Sequence, residues 1–128
     1  MMVENKKISV LIVDDEPSIQ FFYEQVLDLN GFNVFGIANN GEEAVKLYKS
    51  EKIQPDVILM DHRMPIKGGL EASKEILKVN KNAKIIFTTA DKTIKEDALA
   101  LGACSFMDKP FTVEHLINNI RKHTLNGD

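Results

Sequence analysis

A chain of 128 residues, 44% hydrophobic and 27% charged, has the size and balance of a single soluble domain and leaves no room for a second. Its 16 basic and 19 acidic residues give a net charge of −3, against the basic excess of a nucleic-acid-binding module. One cysteine, Cys104, excludes an internal disulfide framework and a cysteine zinc site. No apolar run approaches the ~20 residues that span a bilayer. The polar start, Met1 to Lys7, lacks a signal peptide's apolar stretch, so the expected compartment is the cytoplasm.

Ile8–Val13 is short, apolar and rich in Val and Ile, which predicts a strand buried on both faces. Pro17 can open a helix, and Ile19, Phe22, Val26 and Leu29 follow at spacings of 3, 4 and 3 before Asn30-Gly31 ends the run. Asn33–Ala38 carries Gly36 and alternates more, as an edge strand does. A second helix opens near Gly41-Glu42 and carries Ala44, Leu47 and Tyr48. Val57–Met60 is a buried strand. Leu70, Ser73, Leu77 and Asn80 line up on a third helix with Ile76 beside them. Ile85–Phe87 is a strand, and Ile94, Ala98 and Leu101 mark a fourth helix stopped by Gly102. Cys104–Met107 is the other edge strand. Pro110 and Thr112 introduce a fifth helix with the clearest stripe: Val113, Leu116, Ile117, Ile120 and Thr124. Strand and helix alternate five times, which implies an α/β fold, a doubly wound (βα)5 domain with a parallel sheet and helices on both faces. The expectation is one domain over residues 1–128, with its core at about 6–125 and a tail too short for an output domain.

In an open parallel sheet, ligands sit beyond the carboxyl ends of the strands. The first strand delivers Asp14-Asp15 there, with Glu16 following. The third delivers Asp61, the fourth Thr88-Thr89-Ala90, and the fifth leads into Lys109-Pro110. Each residue alone has an ordinary explanation, such as a helix cap, a β-former or a solvated lysine. Three carboxylates in one cleft do not, because two unit charges ~4 Å apart cost ~4 kcal/mol at an effective dielectric of ~20. A bound cation relieves that cost, and donors that are all oxygen suit a hard ion such as Mg²⁺.

Four segments then occur in a definite order: LIVDDE (Leu11–Glu16), DVILMDHRMPIKGG (Asp56–Gly69), IIFTTA (Ile85–Ala90) and DKPF (Asp108–Phe111). With them the chain resembles a response-regulator receiver domain of the chemotaxis-regulator kind, the phosphoacceptor half of two-component signalling. The resemblance implies a flavodoxin-like sheet of order 2-1-3-4-5. It makes Asp61 the phosphoacceptor, and gives the Mg²⁺ to Asp15 directly, to Asp14 through water, to Asp61 and to the backbone carbonyl of Arg63. Thr89 becomes the switch hydroxyl, Phe106 the switch aromatic and Lys109 the contact to the phosphoryl group. The Lys109–Pro110 peptide is expected to be cis. The donor is expected to be a sensor histidine kinase or a histidine phosphotransfer protein, with the helix 4–strand 5–helix 5 face switching for a downstream protein. Neither nucleic acid nor membrane insertion is implied, and the protein is expected as a monomer or weak homodimer. It would be no enzyme beyond its own phosphorylation and slow dephosphorylation. Two alternatives stand beside this: a phosphorelay intermediate passing the group to a downstream histidine, and an aspartyl-phosphate phosphatase. The phosphatases that form such an intermediate need Asp-x-Asp on the first strand, whereas here the acids are adjacent. The glycine-rich phosphate-binding motifs of nucleotide modules are missing.

Arg63 and Asp91 lie two residues after Asp61 and Thr89, on loops expected to be neighbours, with opposite charges. They are expected to pair across the cleft mouth and hinder attacking water. Thr88 is expected to face the core. His62, His115 and His123 are read as side chains outside any metal site. Phe21 is expected to point outward beside the cleft, where it could help dock the donor, and Gly68-Gly69 to loosen the loop after Pro65.

Overall fold

The structure, a computed structural model, describes residues 7–124. The polar start before Lys7 and the tail from Leu125 lie outside the described residues. The elements alternate as β1 (Ser9–Val13), α1 (Pro17–Leu29), β2 (Asn33–Ala38), α2 (Gly41–Ser50), β3 (Val57–Met60), α3 (Gly69–Val79), β4 (Ile85–Thr89), a 3₁₀ turn (Lys92–Ile94) running into α4 (Lys95–Leu101), β5 (Ser105–Asp108) and α5 (Val113–Thr124). The five strands form one parallel sheet in the order β2-β1-β3-β4-β5. This is the doubly wound arrangement of order 2-1-3-4-5, with β2 and β5 at the edges. β4 runs two residues past the apolar run, and β5 lies one residue later than Cys104–Met107.

Alternation along each strand sorts the core into two layers. Leu11, Val13, Ile58, Met60, Ile85 and Phe87 meet α2, α3 and α4 on one face. Val10, Ile12, Val57, Leu59, Ile86 and Met107 meet α1 and α5 on the other. Central strands buried on both faces are why their sequences read as continuous apolar runs rather than as an alternation.

Three helices depart from the expected stripes. On α1 the buried residues are Tyr23, Val26 and Leu27, while Phe22 is 41% and Leu29 83% exposed. The stripe is rotated by one position, because α1 carries two overlapping apolar rows and the sheet takes the one containing Tyr23. On α3 the buried row is Gly69, Ala72, Ser73 and Ile76, with Leu70 and Leu77 packed only at its flanks. Small residues permit the helix start to approach the sheet closely. A Cβ added at Gly69 would stand 2.2 Å from the carbonyl oxygen of Asp61. On the last helix Val113 is exposed, and burial begins at Leu116. Gly102 ends α4 with a φ of 123°, a conformation that side chains disfavour.

Candidate functional site

The parallel ladder delivers the site. Asp14 donates its N–H to the carbonyl of Ala38 at 3.1 Å, Asp61 to that of Val13 at 3.0 Å, and Lys109 to that of Thr89 at 3.0 Å. Strand-like pairing therefore continues for one residue beyond β1, β3 and β5, and it fixes where these side chains start. One carboxylate oxygen from each of Asp14, Asp15 and Asp61 lies within 4.8 Å of the others. Asp14 is fully buried, Asp61 nearly so, and Asp15 is exposed. Among the described residues this is the one group of potential metal ligands, and the histidines stand outside it. All its donors are hard oxygens, on the order of one ion's reach apart, with one side open to water. The acidic cluster is compatible with Mg²⁺.

Lys109 reaches into the same cluster from the loop after β5. Its Nζ donates to Asp14 Oδ2 at 2.9 Å and lies 3.9 Å from Asp61 Oδ2, an ionic contact too long for a hydrogen bond. The Lys109–Pro110 peptide is cis. Burial raises the Asp61 carboxyl above the usual carboxylate range and the charge of Asp14 adds to this, while Lys109 opposes it. Burial alone would lower the Lys109 ammonium. The hydrogen bond to Asp14 and the surrounding negative groups outweigh it, and the lysine is held above its ordinary value. The cleft thus keeps a cation fixed and a carboxylate strained towards neutrality.

Thr89 is buried at the end of β4, and its Oγ1 accepts from the Asp91 N–H at 3.1 Å. Asp91 Oδ1 accepts from the Thr93 N–H at 3.0 Å, capping the 3₁₀ turn, and Oδ2 accepts from Arg63 Nε at 3.2 Å, with a second guanidinium nitrogen 3.1 Å away. Hydrogen bonds from Thr93 are the main reason why the Asp91 carboxyl is lowered, and the charge of Arg63 adds to them. The β3–α3 and β4–α4 loops are therefore bridged across the mouth. Phe106 is half-buried on β5 and stacks on Phe87 with ring centroids 6.4 Å apart. Thr88 is buried beneath the cleft. Phe21 is 62% exposed near the start of α1. His115 is exposed and His123 half-buried, both on α5 away from the carboxylates, and His62 lies beside Asp61 with its Nδ1 buried.

One contributor was not singled out in the sequence. Gln20 Nε2 donates to the carbonyl of Asp14 at 2.6 Å and to Asn39 Oδ1 at 2.7 Å, tying α1 to the loop after β2 directly behind the acidic pair. Only the pairing of β2 with β1 brings Asn39 there, so no spacing rule could have found it. The loop after Pro65 is not slack as its two glycines suggested. Gly69 donates its N–H to the carbonyl of His62 at 3.0 Å, Gly41 donates to that of Lys67 at 2.9 Å, and Lys67 pairs with Glu75.

The response regulator receiver domain matches residues 10–121. The chain is 37% identical to the chemotaxis protein CheY of Thermotoga maritima over 115 residues, 88% of this chain and 94% of that one. It is 38% identical to the chemotaxis protein CheY of Bacillus subtilis over 119 residues, 91% of this chain and 97% of that one. Among solved structures it resembles the CheX–CheY–BeF₃–Mg²⁺ complex of Borrelia burgdorferi with a TM-score of 0.85 and 31% identity, covering 90% of this chain and 87% of that one. Among the described residues no helix is long and apolar enough to cross a membrane. The chain belongs to the response regulator receiver family, the CheY-like signalling domains of two-component systems.

Proposed function

We propose that this protein accepts a phosphoryl group on Asp61 from a phosphohistidine of a sensor kinase or phosphotransfer protein, and signals through its altered surface. The observation that carries the reading is the convergence of three carboxylates and one lysine at the carboxyl edge of the sheet. A carboxylate oxygen of Asp61 forms the new bond to phosphorus. The bond from phosphorus to the donor's imidazole nitrogen breaks, and its electron pair stays on that ring, which takes up a proton. Lys109, already 3.9 Å from Asp61, draws towards the incoming phosphoryl oxygens and offsets the repulsion between two anions. Asp15, Asp61, the carbonyl of Arg63 and, through water, Asp14 would hold Mg²⁺, which when bound supplies further positive charge to the transferring group. Thr89 then donates its hydroxyl to a phosphoryl oxygen and Phe106 moves into the space vacated, remodelling the face of α4, β5 and α5 for a downstream protein. A few kcal/mol of differential stabilisation suffice to shift such an equilibrium.

The carboxylate chemistry would be the protein's own and no other substrate would turn over. The expected setting is the cytoplasm, with the chain a monomer or weak homodimer. The solved Borrelia burgdorferi complex, with CheY bound to CheX, BeF₃ and Mg²⁺, supports both the cation and a protein partner for the activated form. The Arg63–Asp91 bridge lends weight to a second role, as a relay that holds its phosphoryl group long enough to pass it on, because the bridge narrows the path of attacking water. Arg63→Asn or Asp91→Ala is expected to shorten the phosphoryl lifetime several-fold, and unchanged decay would remove that role for the pair.

The deciding experiment is labelling by acetyl phosphate. Magnesium-dependent incorporation is expected in the wild type and none in Asp61→Ala. Labelling that survived Asp61→Ala, or that proceeded equally in EDTA, would overturn the proposal.

A further inference from the structure

Asp15 stands apart from the other two carboxylates of the site. Asp14 is fully buried and Asp61 nearly so, which packs both in place, whereas Asp15 is exposed. Its direction is therefore set by its own backbone, and that backbone is held on both sides. In the peptide before Asp15, the carbonyl of Asp14 accepts from Gln20 Nε2 at 2.6 Å. In the peptide after it, the Glu16 N–H donates to Asp14 Oδ1 at 3.0 Å. The carbonyl of Glu16 accepts from the Gln20 N–H at 3.0 Å as α1 begins. One residue of α1 thus grips the chain on either side of Asp15, with its side chain on one carbonyl and its main chain on the other.

The polarity of the Gln20 amide is dictated from behind. Glu43 Oε1 accepts from the Asn39 N–H at 2.8 Å and from Asn39 Nδ2 at 3.1 Å. A carboxylate can only accept, so Asn39 must turn its Oδ1 towards Gln20, where it accepts from Nε2 at 2.7 Å. Both partners of that nitrogen are oxygens, and its two hydrogens serve one each. A link that merely joined α1 to the loop after β2 needs the Asn39 contact alone. The second hydrogen goes to the peptide that carries Asp15. Were that peptide not held, Asp15 could swing out to water, away from its two anionic neighbours, and cation binding would first have to bring it back.

We propose that Gln20 is a positioning residue for the cation: by fixing the Asp14–Asp15 peptide it keeps the exposed Asp15 carboxylate aimed at the place it shares with Asp14 and Asp61. The proposal rests on the receiver reading, in which Asp15 binds Mg²⁺ directly, and adds to it the residue that prepares Asp15 for the ion.

The test follows the backbone amides of the ¹⁵N-labelled full chain through a Mg²⁺ titration, with no phosphodonor present. Gln20→Met keeps the length of the side chain and removes both donors. It should raise the Mg²⁺ Kd about fivefold, the worth of one hydrogen bond. In the cation-free protein the same substitution should make the Asp15 amide mobile on the nanosecond scale, read from ¹⁵N relaxation. A merely structural link would lower the urea midpoint and leave the Kd where it was. Asn39→Ala, at an exposed position, frees the Gln20 amide to turn. Alone it should raise the Kd about twofold, and added to Gln20→Met it should change nothing further. An unchanged Kd in Gln20→Met, or effects of the two substitutions that multiply, overturns the proposal while the receiver reading stands. A wild type that bound no Mg²⁺ would overturn both. Should Gln20→Met not fold, Asn39→Ala decides, with a raised Kd supporting the proposal and an unaltered one counting against it.

Discussion

The interior of the sheet and its carboxyl edge obey opposite rules. In the interior every strand residue meets hydrocarbon, as Ile58, Leu59, Ile85 and Phe87 do, each at or below 1% exposure. Just past the ends of β1 and β3, carboxylates crowd together with Asp14 fully buried. The interior lowers the free energy of the fold, and the edge raises it. The edge is tolerable because the ladder beneath it is rigid and because Lys109 reaches in to share the charge. The lesson is that the scaffold stabilises and the rim stores what the chemistry needs.

Substitutions can test how separate the two rules are. The largest effect should come from the interior: Phe87→Ala leaves a cavity under Phe106 and should cost about 3–5 kcal/mol in urea unfolding. A cost below ~1 kcal/mol would mean that the layers repack freely. At the edge the sign should reverse. The Asp61 carboxyl is raised in the folded protein, so the fold holds that proton over a range where the unfolded chain has released it. Its contribution is complete below the ordinary carboxylate value and is lost as pH rises through the folded value, leaving a penalty at neutrality. Asp61→Asn should therefore stabilise by an amount of order 1 kcal/mol at pH 7 without Mg²⁺, as expected for relieving charge crowding. The gain should vanish near pH 3 and shrink when Mg²⁺ stabilises the wild type instead. Destabilisation by Asp61→Asn at pH 7 would erase the contrast between rim and interior. The smallest effect belongs to the outer face of α1, where Leu29→Ala should fall within ~0.5 kcal/mol despite its apolar character, because the residue is 83% exposed.

That last residue marks where the sequence stops being readable. The central strands announced themselves because burial on both faces fills their runs mostly with Val, Ile, Leu, Phe and Met, and a functional residue follows each of those runs. The acidic pair, Asp61, Thr89 and Lys109 could therefore be placed on one edge before any coordinates. The phase of α1 could not. Ile19, Phe21, Phe22, Tyr23, Val26, Leu27 and Leu29 offer two rows about one residue apart, and only packing against the sheet selects between them. The α3 row was hidden for a related reason: Gly69, Ala72 and Ser73 bury through closeness rather than through bulk. Contacts made by long side chains between loops, such as Gln20 to Asn39, depend on distances that no spacing encodes.

The tight seat of Gly69 against the peptide of Asp61 has a practical side. Since no side chain fits between them, any substitution at 69 would push the first turn of α3 away from residue 61. A split or circularly permuted sensor built on this scaffold should open the chain elsewhere. The exposed stretch Glu51–Ile53, between α2 and β3, offers new termini that leave that joint intact.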